Sequence, residues 1–207
     1  MDLYQNKYRI KSARLKEWDY STAWRYYVTI NIKNVKKSPT SLSHSSDQKL
    51  GFSARWFGDV INDKMVFNEF GKIVDECWNE IPIHYSTVEL DYYQIMPNHI
   101  HGIIILNNPA ELKTNNSIQN QNSASGEIVE TPYKASLPPT LGDIVGKFKG
   151  AVTREIHKIG SKSFSWQPRF YDRIIRNEKE LYQIRKYIEQ NPLEWSINKD
   201  NPENLDL

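Results

Sequence analysis

Stretches of the chain with a clear apolar period alternate with stretches that have none, and this alternation predicts the elements. "RYYVTINIKN" (25–34) is dense in β-branched and aromatic residues and reads as a strand. "VKKSPTSLSHSSDQKLGFS" follows, rich in Ser, Lys and Pro with no apolar period, hence a loop. In "MVFNEFGKIVDECWNEI", Val66, Phe70, Ile73, Val74, Cys77, Trp78 and Ile81 fall near helical spacing, which predicts an amphipathic helix ended by Pro82. A strand over about 88–96 comes next, then a Pro97-Asn98 turn and a strand over 99–106, so the pair forms a β-hairpin. Alternate residues of the second strand share a face. Beyond its histidines, one face carries Ile103 and Ile105, the other Ile100, Ile104 and Leu106. That pattern predicts a central strand covered on both sides.

Residues 107–140 are so rich in Asn, Gln, Ser and Pro that they bury too little surface to offset the entropy of ordering. They read as a mobile insertion into one domain spanning 1–207, as does a shorter polar stretch over about 36–51. "LGDIVGKFKGAVTREIHKI" resumes helical spacing through Leu141, Ile144, Val145, Phe148, Val152 and Ile156, and "FSWQPRFYDRIIRN" follows as loop and short strand. A final helix has Asn177 as N-cap, Glu178 and Glu180 in its first turn, and Pro192 past its end. This order predicts an α+β fold with one mostly antiparallel sheet.

Composition narrows the function classes. The mean hydropathy is −0.67, there is no run of 18 apolar residues, and "MDLYQNKYRIKSARLKEW" lacks the apolar core of a signal peptide. A cytoplasmic protein with no membrane partner is expected. The single cysteine, Cys77, excludes an intramolecular disulfide and a thiolate metal cluster. The net charge of +2 hides an asymmetry, because residues 147–176 hold eight Lys and Arg against Glu155 and Asp172. That segment carries +6 and the remainder −4. A basic surface of this kind suits a polyanion, and a solvated helix face accounts for it equally well.

In "MPNHIHGIIIL", His99 and His101 project the same way, about 7 Å apart at their Cα atoms. Two imidazoles so placed can converge on one Mn, Zn, Co or Fe ion. Two ligands alone make no site, and a hydrogen-bonded pair at the core edge explains them as well. His44, His84 and His157 have no partner at ligand spacing. In "NEKELYQIRKYIEQNP", Leu181, Ile184 and Ile188 form a buried stripe. Tyr187 and Asn191, four apart, stand together on its shoulder, while Tyr182 falls on the opposite, polar side.

The hairpin "MPNHIHGIIIL" and the block "WQPRFYDRIIRNEKELYQIRKYIEQNPLEW" resemble the REP-associated tyrosine transposases, of the HUH single-strand DNA endonuclease superfamily. "RLKEWDYSTAWRYYVTI" is similar to the amino-terminal block of the longer bacterial members. The resemblance covers three blocks and leaves out the loops over about 38–51 and 107–139. It implies a ferredoxin-like, mostly antiparallel sheet flanked by helices. It also implies that His99 and His101 bind a divalent metal ion, Mg²⁺ or Mn²⁺, that Asn191 completes the metal site, and that Tyr187 is the nucleophile. The activity implied is a metal-dependent single-stranded DNA endonuclease and strand transferase, acting on hairpin DNA (REP-like palindromes) through a 5′-phosphotyrosine.

Candidates for DNA contact are Lys147, Lys149, Arg169, Arg173 and Arg176 on phosphates and Trp166 stacked on a base, with Phe170 and Tyr171 as further aromatics. Trp166 reads equally as core. The enlarged Ser- and Asn-rich loops depart from the family pattern and bear on substrate choice. Two other readings stay open: a domesticated relative that holds hairpin DNA or RNA without cutting, and a hydrolase using water with Tyr187 only structural. Presence of all four residues (His99, His101, Tyr187, Asn191) favours the nucleophilic enzyme. Monomer and homodimer are both compatible with the sequence.

Overall fold

A computed structural model describes residues 15, 17–33, 55–108 and 138–198, together with two short paired strands, β1 (Leu3–Tyr4) and β2 (Lys7–Tyr8). The central sheet is built from β3 (Arg25–Asn31), β6 (Val88–Ile95), β7 (His99–Leu106) and β8 (Tyr171–Ile174). Its order is β6-β7-β3-β8, and every neighbouring pair is antiparallel. Two crossovers, through α1 (Glu69–Asn79) with the short α2 (Ile81–His84), and through α3 (Leu141–Lys158), each skip one strand before rejoining the sheet. That is the split β-α-β topology of ferredoxin-like folds. A second hairpin, β4 (Gly58–Ile61) and β5 (Lys64–Phe67), precedes α1, and α4 (Glu178–Asn198) closes the described chain. Among the described residues, no helix is long and apolar enough to cross a membrane.

The alternation along β3 and β7 sorts side chains into two layers. Tyr26, Val28, Ile30, Ile100 and Ile104 pack on one face against Val74 and Trp78 of α1 and Leu141, Ile144, Phe148 and Val152 of α3. Tyr27 and Ile103 point the other way, into Ile175 and the Leu181, Ile184 and Ile188 stripe of α4. β7 is therefore covered on both faces, as its apolar pattern predicts. The Trp78 indole lies directly on the β7 backbone. A Cβ on Gly102 would stand 2.4 Å from the Trp78 ring, so this position admits only glycine without movement.

Three sequence expectations differ from the structure. Residues 65–67, expected to open the first helix, are strand β5. An Asn62-Asp63 turn with both φ values positive (50° and 57°) makes a tight hairpin there, and the helix starts only after the Asn68 cap, whose side chain accepts from the Gly71 amide. Pro82 does not end helical structure, since it occupies the first turn of α2. Pro192 does not end the last helix, which runs on to Asn198. Pro192 is itself buried, and Trp195 in the following turn packs on His99, so tertiary contact offsets the one backbone bond a proline cannot make. The polar insertions expected over about 36–51 and 107–140 lie outside the described residues except at 107–108 and 138–140, and His44 lies outside them too.

Candidate active site

Antiparallel pairing sets Thr29 opposite His101 and Asn31 opposite His99, with Tyr27 one pair further along the same face. The two imidazoles turn toward each other: their Nε2 atoms are 2.9 Å apart and their planes meet at 74°. Each Nδ1 has a partner behind it. His99 Nδ1 lies 2.6 Å from the Asn98 side-chain oxygen, which accepts, so this nitrogen carries a proton. His101 Nδ1 lies 2.7 Å from the Tyr27 hydroxyl and 3.0 Å from that of Thr29, and Thr29 also donates to Tyr27 at 3.0 Å.

Protons can then be placed so that every donor has an acceptor. Thr29 donates to Tyr27, Tyr27 to His101 Nδ1, His101 Nε2–H to His99 Nε2, and His99 Nδ1–H to Asn98. Burial depresses His99 to a pKa of about 4, and burial together with the neighbouring His99 holds His101 well below the usual histidine range. Both rings are neutral at neutral pH. Burial pushes the Tyr27 phenol far up, so it stays protonated.

Helix α4 lays one stripe along this pair. The Tyr187 ring meets His101 at 5.3 Å between ring centres and 69°, and meets Tyr27 at 6.4 Å. Two turns on, Trp195 lies 6.0 Å from His99. Asn191, between them at i+4 from Tyr187, is buried. Tyr187 keeps 43% of its surface open, which places the phenol at the lip of the site, while Tyr182 is out in solvent on the far side of the helix. The register of α4 is held from two directions. Its apolar stripe packs on Tyr27 and Ile103, and Arg185 binds Asp91 Oδ2 through Nε and Nη2 at 2.9 and 2.6 Å. Asp91 sits in a bulge of β6 between Leu90 and Tyr93.

The expected DNA-contacting residues do not form one surface. Lys147 and Lys149 ride on α3, which packs against the opposite face of the sheet from the histidines. There the Lys147 ammonium lies over the Tyr85 ring and Lys149 donates to the Gln167 carbonyl. Trp166 as a base-stacking platform is corrected: the ring is 8% exposed, packed among Phe57, Phe148 and Phe164, with its N–H on the Lys149 carbonyl. The exposed aromatic of this segment is Tyr171, edge-on to Tyr27 at 6.3 Å on the histidine face. Arg173 shares that face of β8 and pairs with Glu180 at 2.6 Å, while Arg169 and Arg176 are exposed on the flanking loops.

No family model matches the chain. An uncharacterised protein of Haemophilus influenzae Rd is 34% identical over 185 residues, covering 89% of each sequence, and the chain belongs to the same family as that protein. Among solved structures, a REP-associated tyrosine transposase bound to a REP hairpin superposes with a TM-score of 0.51 and 15% identity, over 92% of this chain and 81% of the other. The chain has the fold of a REP-associated tyrosine transposase. A candidate transposase from Deinococcus radiodurans R1 (15% identity, 87% of this chain, 98% of the other) aligns at a TM-score of 0.39, a level that establishes no shared fold.

On this transposase-like fold, the donor chemistry suits a divalent ion. Among the described residues no group of three His, Cys, Asp or Glu is placed to hold a metal ion, and the side chains gathered here, His99, His101 and Asn191, are neutral donors. The hydroxyls behind His101 each donate or accept. Turning them lets His101 Nδ1–H donate backward, which leaves both Nε2 lone pairs facing the same point. A metal-bound histidine usually donates its other ring N–H to a hydrogen-bond partner in this way, which fixes the tautomer and the ring orientation. No signal in the sequence marks Tyr27, Thr29, Asn98 or Trp195 as site residues. Tyr27 and Thr29 alternate on a strand legible in "RYYVTIN", but only the pairing register brings them to His101.

Proposed function

We propose that the chain is a metal-dependent single-stranded DNA endonuclease and strand transferase that cuts hairpin-bearing DNA through Tyr187. The observation that carries this reading is the Tyr187 ring, half open to solvent, set edge-on against one of two neutral, converging imidazoles. A phenol is a weak nucleophile at neutral pH, so its attack needs an activated electrophile. A divalent ion held by His99, His101 and Asn191 would polarise the scissile phosphate.

Tyr187 Oη forms a bond to phosphorus as the bond from phosphorus to the 3′ oxygen breaks. The phenol proton leaves to water at the open lip, and the departing oxygen takes up a proton to become a free 3′-OH. The DNA is left as a 5′-phosphotyrosine, and attack by another 3′-OH reverses the step and joins strands without ATP. Arg185, held by Asp91, keeps α4 in register so that Tyr187 stays beside His101. Tyr171 and Arg173, on the same face, flank the strand's path. The solved neighbour is bound to a REP hairpin, and we assign a hairpin substrate by that likeness.

The test is incubation of end-labelled single-stranded hairpins with protein and Mn²⁺, followed by a denaturing gel. A protein-sized covalent adduct is expected, lost in Tyr187→Phe with hairpin binding retained, and kept in Tyr182→Phe. Cutting by Tyr187→Phe at near wild-type rate would replace this reading with hydrolysis by water.

A further inference from the structure

At the end of the sheet away from the histidines lies a groove of about 530 Å³, and nothing in the proposed cutting step uses it. Its walls come from the starts of β3, β6 and α4 and the ends of β7 and β8, among them Trp24, Arg25, Glu89, Asn107, Arg176 and Glu178. The volume is of the order that small-molecule sites occupy, enough for one nucleotide.

Three features point to the occupant. The Trp24 indole is fixed by its N–H, which donates to the Ile175 carbonyl at 2.7 Å, and by Trp18 packed edge-on at 6.2 Å. It nonetheless leaves 42% of its surface open, so a rigid flat ring faces the groove. Arg176 is exposed, and its guanidinium has no ion-pair partner among the described residues, although Arg25 beside it is paired with Glu178. Asn107 donates to Glu89 at 2.7 Å and so holds a carboxylate on the groove wall. A stacking platform, a free cation and an oriented acceptor are what an unpaired nucleotide requires: π-face, phosphate and base edge.

We infer that this groove is a second DNA site, which takes one unpaired nucleotide flanking the hairpin, stacked on Trp24 with its phosphate on Arg176. The Glu89 carboxylate favours a base with an exocyclic amine, adenine, cytosine or guanine, over thymine. The inference rests on the proposed cutting reading and adds a specificity determinant to it. Six residue steps along β7 lead from His99 to Ile105, so the two sites are about 20 Å apart. That spacing is roughly six stacked bases at about 3.4 Å each.

The experiment is an abasic scan. A hairpin carrying a long unpaired flank, on the 5′ or the 3′ side, is bound by the full chain after each flank base in turn is replaced by an abasic sugar. In the wild type, one flank position should lose roughly 10-fold or more in affinity, within the range for a single base–aromatic stack. Thymine there should bind less well than adenine. Trp24→Ala should be insensitive to that same abasic change, and Trp24→Phe, which keeps a ring, should recover most of the sensitivity. Arg176→Ala tests the phosphate arm independently of the indole and should weaken flank-bearing DNA. The absence of any abasic position whose effect depends on Trp24 overturns the second site. If the Tyr187 adduct still forms in that case, the cutting reading stands alone. If neither binding nor adduct is seen, both fall.

Discussion

The Tyr27 hydroxyl lies 2.7 Å from His101 Nδ1 while accepting from Thr29, so the orientation of one candidate ligand is set by a phenol 74 residues away in the chain, on the neighbouring strand. In the proposed site it would hold the imidazole and reverse its hydrogen bond when the Nε2 lone pair is needed. Tyr27→Phe leaves Thr29, at 3.0 Å, as the one partner of Nδ1 among the described residues. Mn²⁺ affinity measured with a non-cleavable hairpin present should then fall by about 10-fold, the lower end of the losses expected when a hydrogen bond behind a ligating imidazole is removed. The far-ultraviolet circular dichroism should be unchanged. Wild-type affinity in this variant would mean that Tyr27 only packs.

In the proposed site, a neutral donor set would govern metal behaviour. Mg²⁺ prefers anionic oxygen and sheds water reluctantly, and Mn²⁺ accepts imidazole more readily. Titration of Mn²⁺ into the free protein should therefore show weak binding that tightens when hairpin DNA brings its phosphate, and by linkage the ion should tighten DNA equally. His99→Ala or His101→Ala should abolish the tightening. Tight Mg²⁺ binding without DNA would point to an acidic ligand outside this set.

Acid should unfold the metal-free protein through the same pair. Both histidines have folded-state pKa values depressed below the ordinary value near 6.5, His99 to about 4, so the unfolded chain binds more protons between these limits. Their contribution is fully present above about pH 6.5 and is lost as pH falls through about 4. Urea denaturation in chelator across that range should show a fall in stability. The double variant His99→Gln, His101→Gln should show a shallower one.

Gly102→Ala places a methyl 2.4 Å from Trp78 in a packed layer. The loss should be about 1–3 kcal/mol, as for other overpacked cores, read from the urea midpoint. A change below about 0.5 kcal/mol would mean that the indole relaxes freely.

Salt dependence separates the basic residues. Arg176→Ala should reduce the slope of log affinity against log salt by about one, as expected for a lost phosphate contact. Lys149→Ala should change it less, because that ammonium is turned onto the Gln167 carbonyl, in the layer beyond the sheet.

Much of this was legible in one dimension, where signals are periodic and local. The two-sided apolar pattern of β7, the Leu181-Ile184-Ile188 stripe and the Asn177 cap, which accepts from the Glu180 amide at 2.9 Å, all follow from spacing and side-chain chemistry within a few residues. So does the common direction of His99 and His101. The β4–β5 hairpin was hidden because Val66 also fits a helical period. Choosing between the two needed the Asn62-Asp63 turn, whose positive φ values are a backbone fact.

The rest depended on contacts between residues distant in the chain. Nothing in the spacing of Trp166 distinguishes a buried ring from an exposed one, and the aromatic cluster of Phe57, Phe148 and Phe164 decides it. Whether Pro192 ends a helix depends on what the next turn touches, and here it touches His99. Tyr27 meets His101 only because β3 pairs with β7 in one register, and a one-residue slip would send both side chains to the other face. Local sequence therefore determined the elements and the chemistry that each carries. The tertiary structure alone decided which groups share a face and which cations remain unpaired, because those are properties of pairing and packing.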